Sequence, residues 1–283
     1  MKESNTPIRR EQRGSVKTRL IVFSTLAILL LVASIFSEHL TPYDPYLQDL
    51  MNAKAPPSPE HLIGTDRYGR DMLSRVIVGS RTSIFSTLLL VAIITVLGTI
   101  IGVFCGWHGK WIDTLLMRIS DMFLAFPGLV FALAVAGVLG GGLQNAVIAL
   151  AAISWPKYAR IARSQTLAQR ETVWMKAAKL SGCRSGNLIL KHLLPNIIGP
   201  ILVTSMLDIG TMMMELAGLS FLGLGAKPPA AEWGSMMSDA RSLFTTAPWI
   251  TLAPGLAIFI SVIVFNLLGD SIRDYADPKN RRR

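Results

Sequence analysis

Charge is scarce in this sequence. Of its 283 residues only 16% are Asp, Glu, Lys or Arg, while 51% are hydrophobic. A water-soluble domain carries about 25% charged residues. So little charge cannot cover a water-facing surface, and a membrane location is the first inference. Cysteine is nearly absent: Cys105 ends an apolar run and Cys183 lies in a basic loop. Two such residues build neither a disulfide framework nor a zinc site. The four histidines, His39, His61, His108 and His192, show no ligand spacing. Catalytic signatures are missing as well. No G-x-x-x-x-G-K-S/T turn offers backbone N–H groups to phosphates. No G-x-S-x-G or H-E-x-x-H pattern occurs. A membrane enzyme has nothing here to act with, and if ATP drives this chain, another chain binds it.

Long apolar runs are abundant. A span needs about 20 apolar residues. Six runs qualify: Leu20–Ser37, Thr82–Gly106, Ile112–Leu139, Leu143–Ile161, Ile197–Leu219 and Thr251–Gly269. The fold class predicted is all-α integral membrane with six transmembrane helices. A tail covers 1–19, a first helix 20–37, an extracytoplasmic segment 38–81, a five-helix core 82–269 and a second tail 270–283. A signal peptide competes for the first run, but the run is long and no A-x-A site closes it, so a retained helix is expected.

Basic residues set the orientation. With the N-terminus inside, the inner segments hold 20 Lys and Arg and the outer ones seven. Both termini are therefore expected in the cytoplasm. This asymmetry also accounts for most of the net charge of +10 without any nucleic acid.

Several polar and small residues stand out. Gly98, Gly102 and Gly106 form a smooth stripe that lets a second helix approach closely. Asp71 is placed to cap a helix running toward Ser80, and the stretch Gly64–Asp71 reads as a charged interfacial helix entry. Arg118 and Asp121 lie one turn apart, and Asp208 and Glu215 two turns apart. Charges at membrane depth must face protein or water. They are candidate pathway residues, or intramembrane pairs such as Arg118 with Asp121 or Asp208. Met212, Met213 and Met214 cannot converge on one ion, because successive helix residues point about 100° apart. No metal site is assigned.

The largest inner loop, from Glu171 to Asn196, carries a short amphipathic helix. Val173, Trp174, Ala177, Ala178 and Ser181 share one stripe. Gly182 stops or bends the helix, and Pro195 is expected to end the next segment before the fifth span. Spacing leaves two readings open: a helix lying on the membrane surface, or a knob for a soluble partner.

The segment Lys176-Ala177-Ala178, then Gly182, then Leu194-Pro195 resembles the E-A-A…G…I-x-L-P loop of ABC importer permeases. Lys176 replaces the Glu of that pattern and His192 its Ile. The segments His61–Ser83, Arg118–Pro127, Leu219–Arg241 and Pro254–Pro278 are similar to the dipeptide, oligopeptide and nickel branch. The resemblance implies a coupling loop over 166–196, in which Glu171, Trp174, Lys176, Ala177, Ala178, Gly182, His192, Leu194 and Pro195 meet an ATPase. It implies a second permease chain, two ATPase chains that hold ATP and Mg, an external binding protein, and membrane lipid around the chain in a bacterial inner membrane. No cofactor is expected on this chain. Nickel, as a chelate, is the substrate the resemblance favours, with peptides as the alternative. A stand-alone secondary transporter or channel would show an acidic relay or paired broken helices, and neither pattern is visible in the sequence.

Overall fold

The structure is a computed structural model that describes residues 7–276. The described residues are all helix and loop apart from one isolated bridge, Thr65 to Asp71. The main helices are α1 (Pro7–Ile35), α2 (Met72–His108), α3 (Lys110–Ala125), α4 (Gly128–Val138), α5 (Leu143–Arg170), α6 (Val173–Leu180), α7 (Leu194–Leu219), α8 (Trp233–Asp239) and α9 (Pro248–Ala276). Of the two expected tails, residues 1–6 and 277–283 lie outside the described residues. From Pro7 onward the first tail continues as helix into α1.

Helix α2 is the spine of the bundle. It packs most closely on α5, and also meets α1, α7, α8 and α9. The glycine stripe makes the α2–α5 approach possible. A Cβ on Gly98 would stand 2.6 Å from the Trp155 carbonyl oxygen, one on Gly102 2.8 Å from Ala162 Cβ, and one on Gly106 2.7 Å from Thr166 Cβ. The packing face read from the sequence is this contact. Large apolar side chains face outward instead, such as Leu89, Val96 and Ile100 on α2 and Leu256, Phe259 and Ile260 on α9. That pattern suits a lipid or protein surround rather than water.

Four of the helical stretches are long and apolar enough to cross a membrane, or five if the bent pair α3–α4 counts as one. Several of the expected spans differ from what is observed: the first and second begin earlier, at Pro7 and Met72, and the third, fourth and fifth differ in course or length. The stretch Ile112–Leu139 is not one straight helix: α3 and α4 meet at 95°. Pro127 forces its predecessor out of helical geometry, and Phe126 is extended at φ −96°, ψ 147°. The fourth span, α5, runs past Ile161 to Arg170. Its Lys157, Arg160, Arg163 and Arg170 dilute its hydropathy, so it is absent from the apolar set.

The fifth span begins early. Pro195 does not end the preceding segment, because a π-helical stretch, Leu188–Leu193, runs straight into α7. A π-turn shifts the register of the helix by one residue. That shift makes room for a ring that would otherwise crowd the carbonyl one turn back. Helix therefore continues from Ser185 to Leu224.

Candidate functional site

The loop from Glu171 to Pro195 forms one compact unit at the end of α5. Glu171 caps α5, and its carboxylate lies 3.0 Å from the Lys176 ammonium. That contact holds the Glu171 carboxyl below its ordinary range, chiefly through the hydrogen bond from Lys176. Thr172 leads into α6, the amphipathic helix expected from the spacing.

The buried side of α6 differs from the predicted stripe. Met175 is the residue driven into the core, with Ala178 packed beside it. Val173 is 84% exposed and Leu180 88% exposed. Ala177 is exposed and so is Trp174, whose ring stands 6.3 Å from the His192 imidazole. Among the described residues the helix is anchored chiefly by Met175, and it presents an exposed apolar face.

The end of α6 explains Gly182. Gly182 N–H donates to the Lys179 carbonyl at 3.1 Å, and Cys183 N–H donates to the Ala178 carbonyl at 3.2 Å. These two bonds define a Schellman closure, which needs a left-handed residue at its turn. Gly182 supplies φ +81°. Beyond it, Leu193 is fully buried while Pro195 is exposed and His192 and Leu194 are half-buried.

The charged residues pair differently from the expectation. Arg118 does not meet Asp121 or Asp208; it is exposed on α3. The helix α5 supplies the partners instead. Lys157 Nζ lies 2.5 Å from Asp208 Oδ1, and the Tyr158 hydroxyl donates to Asp208 Oδ2 at 2.9 Å. Arg160 pairs with Asp121. Arg163 grips Asp113 with two nitrogens, at 2.5 and 2.6 Å. Arg170 donates to the carbonyls of Gly106 and Trp107 at the end of α2. A cation there also opposes the negative end of the helix dipole. Glu215 sits half-buried on α7, on the Asp208 side. A signal for this lay in the sequence: basic residues recurring through a helix of apolar character need acids on its neighbours.

The other end of the bundle holds a second polar cluster. The stretch expected to be a charged interfacial helix is buried instead: Asp66, Arg70, Asp71 and Arg75 are each at most 5% exposed. Asp71 does cap α2, accepting from Ser74 N–H at 2.7 Å, and its other oxygen meets His61 Nδ1 at 2.9 Å. Asp66 accepts from the Arg70 backbone N–H at 3.0 Å and from Arg70 Nε at 2.6 Å. The described residues contain no group of three or more His, Cys, Asp or Glu able to hold a metal ion.

The sequence profile of the binding-protein-dependent transport system inner membrane component family matches residues 98–282. The chain belongs to that family. Among this permease family's characterised members, the dipeptide transport system permease protein DppC of Alkalihalophilus pseudofirmus is 39% identical over 97% of this chain and 90% of its own length. The nickel transport system permease protein NikC of Escherichia coli K12 is 41% identical over 94% of this chain and 95% of its own. The glutathione transport system permease protein GsiD of Pectobacterium atrosepticum is 38% identical over 98% and 93%. A solved inward-facing MetNI methionine ABC transporter shares the fold, with a TM-score of 0.54 and 18% identity over 73% of this chain and 98% of that one.

Proposed function

We propose that this chain is the non-catalytic permease subunit of an ABC importer, lining half of a translocation pathway. Partner ATPases with ATP and Mg would supply the work, and an external binding protein the substrate. The observation that carries this reading is the exposed face of α6. Val173, Trp174, Ala177 and Leu180 are exposed on a helix anchored chiefly by Met175, which is the form a docking knob needs. Small Ala177 admits close approach by a soluble partner. Both chain termini and residues 166–196 then lie in the cytoplasm. A second, homologous permease chain would complete the pathway.

Nickel, carried as a chelate, is the substrate favoured by the likeness of Leu207–Met213 and Ala230–Arg241 to nickel permeases; dipeptides are the second reading. The three relatives above, nearly equal in identity, are named for dipeptide, nickel and glutathione.

Ala177→Asp tests the docking role without touching the core, because Ala177 is exposed. Uptake should fall at least tenfold while the chain stays in the membrane and the ATPases keep turning over. Full uptake with normal coupling would reject the role assigned to α6. Uptake of labelled nickel compared with labelled dipeptide separates the two substrates.

A further inference from the structure

At the far end of α2 from α6, a cleft of about 120 Å³ opens between the start of α2, the Ser220–Leu224 turn and α8. That space holds several waters. Its walls carry three cations, Arg70, Arg75 and Lys227, against one acid, Asp239. Arg70 and Arg75 are 4% and 3% exposed.

Two buried guanidinium groups here share one carboxylate. Asp66 Oδ2 lies 2.6 Å from Arg70 Nε and 3.6 Å from Arg75 Nε. Arg75 Nη1 has only a neutral partner, the Pro45 carbonyl at 3.0 Å. Asp239 is committed to Arg67 at 3.4 Å. A buried charge without its own counter-charge is costly. Among the described residues, neither Nη of Arg70 has an acceptor, and Arg75 Nη2 has none. In the same cleft, Ser220 Oγ is buried without a hydrogen-bond partner. Lys227, exposed at the rim, reaches only the Gly140 carbonyl at 3.4 Å.

We infer that this cleft binds the carboxylate of a small solute, with the free guanidinium edges of Arg70 and Arg75 holding it and Lys227 guiding it in. A carboxylate fits the planar donor fork of arginine. The space takes that group and a few neighbouring atoms, so recognition is of an end group rather than a whole molecule. The inference rests on the importer reading, in which this end faces the exterior and meets incoming substrate.

The test uses the full chain, co-purified with the subunits it assembles with, in phosphatidylcholine nanodiscs. Binding of labelled diglycine is compared with that of diglycine amide, and inorganic phosphate is added as a competitor. Diglycine should bind, its amide about tenfold more weakly, for want of the charge-assisted bonds. Phosphate, which the same fork also admits, should displace it only at higher concentration than unlabelled diglycine does. Lys227→Gln, at an exposed position that endangers no fold, should weaken diglycine about fivefold. Arg75→Lys, which keeps the charge and loses the fork, should also weaken it. Equal binding of acid and amide, absence of saturable binding, or indifference to both variants would overturn the inference. Displacement by phosphate as strong as by diglycine would reduce the cleft to a general anion site and overturn it too. The importer reading is judged separately, by ATPase coupling and sidedness.

Discussion

Asp208 is the residue on which the middle of the bundle turns. It is 5% exposed, and it takes an ammonium from Lys157 and a hydroxyl from Tyr158, both on α5. Removing one partner of a buried pair costs about 3–5 kcal/mol. Lys157 is half exposed and can turn to water, so Asp208→Asn should fall near the lower bound of that range. Thermal unfolding of the detergent-solubilised chain would register it, and Asp208→Leu with Lys157→Met should recover most of the loss. Unchanged stability of Asp208→Asn would show that the pair does not bind α5 to α7. Arg118→Gln should be silent in the same assay, because Arg118 is exposed. The acids were legible in the sequence as residues needing partners. Their partners were not, because pairing between α5 and its neighbours depends on helix rotation, which apolar spacing leaves loose by tens of degrees. Gly182 was legible as a helix stop, and its φ of +81° shows why no other residue type closes the turn as cheaply.

At the level of elements, the α2–α5 contact was readable and the course of the chain around it was less so. A glycine every fourth residue announces a close helix pair whatever the partner. Gly102→Leu should therefore push α2 from α5. Overpacking of this kind costs about 1–3 kcal/mol or more, and the variant should show lower yield in the membrane and a lower melting point. Gly137→Ala, where a Cβ meets nothing within 4 Å, is the matched control. Normal behaviour of Gly102→Leu would deny the contact. The break at Pro127 was also signalled, by a proline in mid-run, but apolar composition alone carries straight across it. The π-stretch before Pro195 had no sequence signal at all. Within it Leu188 and Leu193 are buried, so its register is tied to the packing of the core.

For the molecule as a whole, an all-helical membrane bundle followed from its shortage of charge together with its apolar runs of about 20 residues, while the buried cluster around Asp66 did not. Charged residues in the Pro-rich segment between α1 and α2 look solvated until α8 and α9 are folded over them. Sidedness has a direct test, since both cysteines are free and Cys105 is fully buried. Only Cys183, next to α6, offers a reachable thiol. A membrane-impermeant maleimide should label the chain in inside-out vesicles and leave it unlabelled in intact cells. Labelling from the outside would place α6 on the wrong face for any ATPase.

The length of α2 has one more consequence. Thirty-seven residues make a rod of about 55 Å at 1.5 Å each, against a hydrocarbon layer of about 30 Å. A typical tilt of about 20° still leaves a rise of about 52 Å. Some 20 Å must therefore stand proud of the oily slab. One end of the rod is the pair of carbonyls clasped by Arg170, and on the importer reading part of the excess emerges at the opposite end. On that reading the buried arginine cluster stands on a stiff pedestal clear of the oil, where a visiting molecule can be met before it ever touches lipid.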